Sequence, residues 1–114
     1  MQYLTYNDAK YSILYEKAAQ KELIDLHYYI SENLQEPQIA KRLINKILNG
    51  ISILKYYPEA YPKSKNSKII RKLILKNYNI LYSVNKKLKQ IYILHIYYKS
   101  RNYQYWKLHK NVIN

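Results

Sequence analysis

The amino-acid sequence predicts an α+β fold, in which two antiparallel N-terminal helices pack on a small, mainly antiparallel sheet. Two patterns predict it: apolar residues recur at helical spacing in the first half of the chain, and runs of branched and aromatic residues fill the second half. The 114 residues include one glycine and three prolines, so few breaks interrupt these elements. The expected order is β-α-α-β-β-β within one domain, residues 1–114.

The N-terminal part predicts one strand and one helix. Residues 10–16 (KYSILYE) are rich in aromatic and branched side chains, as in a short strand that completes the sheet. From residue 17 to 34 the apolar positions step by four, three and four, which is one face of an amphipathic helix: Ala19, Leu23, Leu26 and Ile30. Residues 31–37 break the pattern, and Pro37 suits the first turn of a second helix.

The second helix is predicted for residues 37–56. Its apolar face comprises Ala40, Leu43 or Ile44, Ile47, Ile51 and Leu54. Gly50 lies inside this helix and costs about 1 kcal/mol relative to alanine unless close packing requires it. Tyr57-Pro58 ends the helix, because a residue that precedes proline disfavours the helical conformation.

Three strands are predicted after a polar loop at residues 61–67. They cover residues 68–76, 78–84 and 90–98, and the turn at 85–89 joins the last two as a hairpin. Residues 101–114 are polar and aromatic, which indicates a short helix or a frayed end.

The composition excludes several classes of protein. There is no cysteine, and His27, His95 and His109 lack the spacing of metal ligands, so neither a metal nor a cofactor is expected. No apolar run approaches the roughly 20 residues that span a bilayer, and the polar N-terminus does not resemble a signal peptide. The sequence therefore predicts a cytoplasmic protein without a membrane partner.

The net charge of +13 is distributed unevenly. All seven acidic residues lie before residue 60, where seven basic residues balance them, and residues 60–114 hold the other thirteen bases and no acid. An excess of positive charge confined to one half of the chain attracts polyanions, either nucleic acid or an acidic protein. A genome rich in A and T would also favour lysine codons, but it would not remove acids from one half.

The element order and several local motifs resemble the RelE/ParE toxin superfamily over nearly the whole chain. The helices contribute AAQKELIDLHYYISENL and AKRLINKILNGISILKYYPEAYP, and the strands contribute RKLILKNYNILYSV and IYILHIYYKSRNY. The superfamily pattern has proline, an aromatic residue and proline after the second helix. An Arg-Lys-Leu strand, a Tyr-x-Ile-x-Tyr strand and an Ile-x-Ile strand that ends in Arg-Asn follow in the same order.

This resemblance implies a bacterial toxin that arrests growth when free. A cognate antitoxin neutralises such a toxin in a hetero-oligomer, through an acidic, partly disordered segment. ParE-like members poison DNA gyrase without chemistry of their own, and RelE-like members cleave mRNA on the ribosome without a metal. A nucleic-acid-binding module without toxicity would require the resemblance to be misleading.

The candidate site residues follow from both mechanisms. A nuclease would use Lys72, Arg101 and Tyr103, whereas Arg71, Lys99 and Tyr98 are candidates for contact with phosphate or a target. Arg71 and Lys72 point to opposite faces of a strand, so at most one of them serves a given site. Lys21, Lys46 and Trp106 are candidates for the antitoxin or target interface, and the basic and aromatic residues near the C-terminus suit either an interface or base stacking.

Departures from the nuclease pattern favour the gyrase-directed type. Asn79 follows the strand tyrosine Tyr78, where many ribosome-dependent nucleases of the superfamily have an arginine that binds phosphate, and Ile70 replaces a site lysine. His95 is the histidine available on a strand for a histidine-based site, but a packed histidine is the stronger expectation. Tyrosine must fill the aromatic core positions, because the chain has sixteen tyrosines and no phenylalanine. We expect Tyr78 and Tyr82 to pack on one face of the sheet, and the helix-end tyrosines to line helix–sheet contacts: Tyr28, Tyr29, Tyr56 and Tyr57.

Overall fold

The computed structural model describes residues 10–99 as two helices packed on a four-stranded mixed sheet. The elements are β1 (Ser12–Tyr15), α1 (Lys17–Tyr28), α2 (Pro37–Ser52), β2 (Arg71–Leu75), β3 (Tyr78–Asn85) and β4 (Gln90–Tyr98). The strand order is β1-β4-β3-β2, with β1 parallel to β4 and the other pairs antiparallel. The predicted α+β fold and its element order are confirmed.

Both helices end in a turn of different geometry. After α1 the chain continues as a π-helical turn, Tyr29–Asn33, in which the Leu34 N–H donates to the Tyr29 carbonyl at 3.1 Å. Gln35 then adopts a left-handed conformation with φ of 55°, and Pro37 opens α2. A 3₁₀ turn, Ile53–Lys55, follows α2. The helical region predicted from apolar spacing is therefore right in extent, but its ends are not α-helical.

The predicted apolar faces of the two helices form the core. Ala19 of α1 and three residues that follow one another at helical spacing, Ile47, Ile51 and Leu54, are buried against the sheet. Opposite them lie Leu73, Ile80, Tyr82, Ile91, Ile93 and Ile96. The helices thus cover one face of the sheet and leave the other face, called here the open face, without a helix among residues 10–99.

Gly50 lies where α2 packs against the Leu75 side chain of β2. A Cβ atom at this position would lie 2.7 and 2.8 Å from the two terminal methyl carbons of Leu75 in β2. The helix can approach the strand because residue 50 has no side chain. Close packing therefore accounts for a glycine that otherwise weakens the helix.

The strands differ from prediction mainly at the start of β2. Residues 68–70 form a turn in which the Ser67 hydroxyl oxygen accepts hydrogen bonds from the Ile69 and Ile70 amides, both at 3.1 Å. These local bonds compete with strand pairing, so β2 begins at Arg71. On β4 the pairing skips Leu94, because His95 pairs with Leu81 and Ile93 pairs with Tyr82.

The tyrosines divide between the core and the surface. Tyr82 is fully buried and Tyr78 packs against the core, as predicted. The expectation that the helix-end tyrosines line helix–sheet contacts is wrong, because about half or more of each is exposed: Tyr28, Tyr29, Tyr56 and Tyr57. They lie at and beyond the helix ends, where the sheet no longer covers the chain.

Candidate functional site

Arg71 holds the loop that follows α2. Its Nη1 atom donates to the Tyr61 carbonyl at 2.7 Å and to the Glu59 carbonyl at 3.5 Å, and its Nη2 atom lies 3.5 Å from the Glu59 carboxylate. Only 16% of its side chain is exposed. Since most of the guanidinium faces groups of the chain itself, the structure gives this predicted phosphate contact a structural role.

Tyr82 holds the same loop from the neighbouring strand. It pairs with Arg71 in the β2–β3 register, and its hydroxyl donates to the Pro58 carbonyl at 2.9 Å. Burial raises the pKa of Tyr82 to about 12, although the positive charge of Arg71 opposes this rise. The phenol therefore stays protonated at neutral pH and acts as a hydrogen-bond donor.

Lys72 lies on the open face, as strand alternation requires when Arg71 faces the loop. It pairs with Leu81, and its backbone amide donates to the Pro62 carbonyl at 3.0 Å. Buried side chains form a small apolar cluster on this face: Ile70, Leu81 and Tyr97. Lys72 is half-buried and lies on the same face as this cluster, so its stem can follow the apolar surface while its ammonium reaches solvent.

Asn79 and Tyr97 form the buried polar part of the open face. They pair across β3 and β4, and 3% of Asn79 and 7% of Tyr97 are exposed. Burial raises the pKa of Tyr97, and a hydrogen bond with the Asn79 side chain opposes this rise. Within residues 10–99 the Asn79 Oδ1 atom is buried without a hydrogen-bond partner. The position where a nuclease arginine is expected is therefore neutral and inaccessible.

His95 faces a carboxylate of α1. Its Nδ1 atom lies 3.0 Å from Glu22 Oε2, and 4% of the histidine side chain is exposed. The second carboxylate oxygen, Glu22 Oε1, accepts a hydrogen bond from the Ile96 amide at 2.7 Å. The expectation of a packed histidine fits this arrangement, whereas Glu22 was missed because sequence spacing gives no sign that a helix carboxylate reaches β4.

The two lysines predicted for an interface differ in their surroundings. Lys21 forms an exposed ion pair with Asp25 at 2.8 Å, and that hydrogen bond raises its pKa. Lys46 lies beside Lys76, and the second ammonium lowers the pKa of Lys46. The contact of Gly50 with Leu75 explains this closeness, because Lys46 lies one helical turn before Gly50 and Lys76 follows Leu75.

Two further predicted residues, Tyr98 and Lys99, lie at the end of β4 and directly after it. Tyr98 is 41% exposed, and its ring meets that of Tyr78 edge to face with centroids 5.2 Å apart. The Lys99 amide donates to the Asn77 carbonyl at 2.6 Å, which holds the strand end against the β2–β3 turn. Arg101, Tyr103 and Trp106 lie outside the described residues.

Residues 10–99 contain neither a candidate metal site nor a candidate membrane span. Among residues 10–99, histidine and acidic side chains form no group of three that could hold a metal ion. In the same part of the chain, none of the helices has the length and apolarity needed to cross a membrane.

Comparison with known proteins identifies the class. Residues 13–103 match the model of the ParE toxin of type II toxin–antitoxin systems, parDE. The structure is similar to a chain of the chromosomal ParDE system from P. aeruginosa, with a TM-score of 0.68 and 18% identity over 79% of this chain and 97% of that one. A search of curated protein sequences found no match.

Two RelE structures are also similar. A mutant of E. coli toxin RelE in the free state gives a TM-score of 0.57 at 16% identity, covering 92% of this chain and 99% of that one. The archaeal RelE–RelB complex from Pyrococcus horikoshii OT3 gives a TM-score of 0.53 at 25% identity, covering 81% of this chain and 98% of that one. Fold and matches together define a toxin of the RelE/ParE superfamily. Within it, the chain belongs to the ParE toxin family of type II toxin–antitoxin systems.

Proposed function

We propose that this toxin inhibits growth by binding DNA gyrase, as the ParE-like members of its superfamily do, and that it carries out no chemical step. The observation that carries the proposal is the burial of Asn79. A phosphate-gripping nuclease would need a cation there, and the neutral amide instead meets Tyr97 inside the open face. The match to the ParE family model supports the same target.

Two further features of the site support a binding role. Arg71 is engaged by Glu59 and by the Tyr61 carbonyl, so its guanidinium is not free to grip a phosphate. His95 is buried against Glu22, where it cannot reach a substrate without opening the contact between α1 and β4. A general base must come within hydrogen-bond reach of the proton that it removes.

The position of Lys72 supports a second candidate function, that of a ribosome-dependent mRNA endonuclease. This lysine lies on the open face with access to solvent, where it could neutralise charge on a phosphate. In that case Lys72 would act with Arg101 and Tyr103. Replacing Lys72 or Arg101 by alanine should then abolish mRNA cleavage while antitoxin binding persists.

A cognate antitoxin is the proposed protein partner. The chromosomal ParDE toxin–antitoxin system from P. aeruginosa and an archaeal RelE–RelB complex are among the similar structures. The net charge of +13 suits an acidic segment of such a partner. The helix pair also exposes apolar side chains that a protein could cover: Ile24, Tyr28, Leu34 and Ile39. We place this hetero-oligomer in the cytoplasm, where gyrase acts.

The test compares gyrase and ribosome directly with purified toxin. We expect inhibition of supercoiling, weakened by Lys21→Glu or Lys46→Glu more than by Asn79→Ala, because both lysines are exposed on the helices. Lys65→Glu, an exposed loop substitution with the same change in charge, is the matched control and should have little effect. Cleavage of mRNA on ribosomes without any effect on gyrase would overturn the proposal.

A further inference from the structure

A cleft separates the loop after α2 from the β3–β4 hairpin. Its volume is about 540 Å³, within the range of about 300–1,000 Å³ in which ligands are commonly bound. It opens at the end of the sheet where β2 begins and β3 ends. Asn79 and Tyr97 belong to the other end of β3 and do not line it.

The lining of the cleft is strongly cationic. Four basic residues and one acidic residue surround it: Lys63, Lys68, Arg71, Lys86 and Glu59. The Glu59 carboxylate lies 3.2 Å from the Lys86 ammonium and 3.5 Å from Arg71. Among the described residues no carboxylate pairs with Lys63 or Lys68, so both ammonium groups remain available to an anion from outside.

The other lining groups decide between two kinds of polyanion. Ser83 and Asn85 are polar lining residues, and Asn85 Oδ1 already accepts the Leu88 amide at 3.0 Å. The Tyr92 hydroxyl donates to Gln90, and the apolar lining comes from Ile69 and Val84. Protein-binding grooves have an apolar centre, whereas surfaces that bind nucleic acid are more polar and more positively charged. Charged side chains outnumber the apolar ones in this cleft, and the excess of positive charge favours phosphates over a partner that binds through an apolar centre.

We propose that this cleft binds the phosphodiester backbone of a single nucleic-acid strand, independently of base sequence. The volume of about 540 Å³ suits a short stretch of one strand, and binding of a duplex instead would be an outcome against the proposal. Lys63, Lys68 and Lys86 neutralise successive phosphates, and Ser83 and Asn85 offer hydrogen bonds to phosphate or sugar oxygens. This site adds nucleic-acid contact to a toxin whose proposed action on gyrase does not require it.

Glu59 acts in this site as an internal competitor. Its carboxylate lies 3.2 Å from the Lys86 ammonium, which is the exposed cation that a phosphate would otherwise meet. Replacing it by glutamine removes the negative charge from the cleft, while Arg71 keeps its bond to the Tyr61 carbonyl. Glu59→Gln should therefore increase the affinity for nucleic acid about threefold to fivefold, which is the effect of one exposed ion pair.

The test is equilibrium binding of a fluorescein-labelled oligothymidylate, measured by anisotropy over a series of salt concentrations without gyrase present. Lys86→Gln should weaken binding about threefold to fivefold. It should also reduce the slope of log K against log salt by about 0.7, from a value near −2 expected for three lysine contacts. Lys87→Gln is the matched control, because Lys87 is an exposed neighbour on the same hairpin that does not line the cleft.

Two results would overturn the proposal. Equal effects of Lys86→Gln and Lys87→Gln would show that binding reflects overall charge and not the cleft. Tighter binding of a glutamate-rich peptide than of the oligothymidylate, with the same dependence on Lys86 and Glu59, would show that the cleft is a protein-binding site. An increase in oligothymidylate affinity for Glu59→Gln supports the proposal with a variant that keeps the loop anchored.

Discussion

The carboxylate of Glu22 in α1 holds the end of β4 through His95 and the adjacent Ile96 amide. β1 pairs with β4 only as far as Ile93, whose carbonyl accepts the Glu16 amide at 2.9 Å. Beyond that point β1 no longer covers the edge of β4. The Ile96 amide at this edge donates a hydrogen bond to Glu22 Oε1 at 2.7 Å. A helix side chain thus completes the hydrogen bonding of a strand edge that no strand covers in residues 10–99.

Removing this carboxylate should destabilise the fold more than any exposed acid. We expect Glu22→Ala to lower the free energy of unfolding by about 2–4 kcal/mol, because the Ile96 amide and His95 lose their acceptor while remaining buried. Glu22→Gln keeps an acceptor oxygen for the amide and should cost less. Urea unfolding measures both changes. Glu32→Ala, an exposed control, should change the free energy of unfolding by no more than about 0.5 kcal/mol. If Glu32→Ala destabilised the protein as much as Glu22→Ala does, the account would be contradicted.

The close contact of Gly50 with Leu75 predicts a non-additive pair of substitutions. Gly50→Ala alone gains about 1 kcal/mol of helix propensity, but the new methyl group meets the Leu75 side chain, and overpacking costs about 1–3 kcal/mol. In a Leu75→Ala background the same substitution should stabilise the protein by about 1 kcal/mol. A double-mutant cycle of unfolding free energies measures the coupling, and additive effects would show that the side chains do not meet.

The like-charged pair Lys46 and Lys76 predicts a stabilising substitution. The Lys76 ammonium lowers the pKa of Lys46, so the pair disfavours the folded state below that pKa, where both groups are charged. Lys76→Gln should raise both the pKa of Lys46 and the melting temperature. The gain should shrink in high salt, which screens exposed charges. Lys87→Gln serves as the control for general charge reduction, and an equal gain there would contradict a specific repulsion.

Tyr82 predicts a pH-dependent difference from its phenylalanine variant. At neutral pH Tyr82→Phe should cost about 1 kcal/mol, because the Pro58 carbonyl loses its donor. The pKa of Tyr82 is raised to about 12 from an ordinary 10.0, so the phenol stabilises the fold below pH 10 and loses this contribution as the pH rises towards 12. The difference in unfolding free energy between the two proteins should therefore narrow above pH 10. A constant difference would show that Tyr82 is not buried.

The sequence predicted the parts of the fold that local patterns determine. Helical spacing identified the buried faces of both helices, and branched and aromatic runs identified three of the four strands nearly to their ends. The π-helical turn after α1 and the late start of β2 were not predictable, because they depend on the Gln35 conformation and on the Ser67 hydroxyl. Exposure of Tyr28 and Tyr57 could not be inferred either, since the same aromatic residue suits core and surface.

The site was harder to predict than the fold, because its residues are distant in the sequence and only the folded chain brings them into contact. Alternation placed Arg71 and Lys72 on opposite faces, but only the position of the Glu59–Tyr61 loop shows that Arg71 holds this loop. Glu22 and His95 are 73 residues apart, and no local pattern joins them. Asn79 was singled out as a departure from the nuclease pattern, and the structure adds that its side chain is buried.

Pulse labelling after induced expression tests the central claim most directly, because it identifies the process that stops first in living cells. The account predicts that thymidine incorporation falls within minutes while amino-acid incorporation continues, as expected when gyrase is poisoned. An Asn79→Ala variant that retains its stability should behave in the same way. If amino-acid incorporation falls first and transcripts are cleaved, the ribosome is the target. Lys72 and Arg101 would then be the residues that cleave mRNA, which contradicts a toxin that acts only by binding.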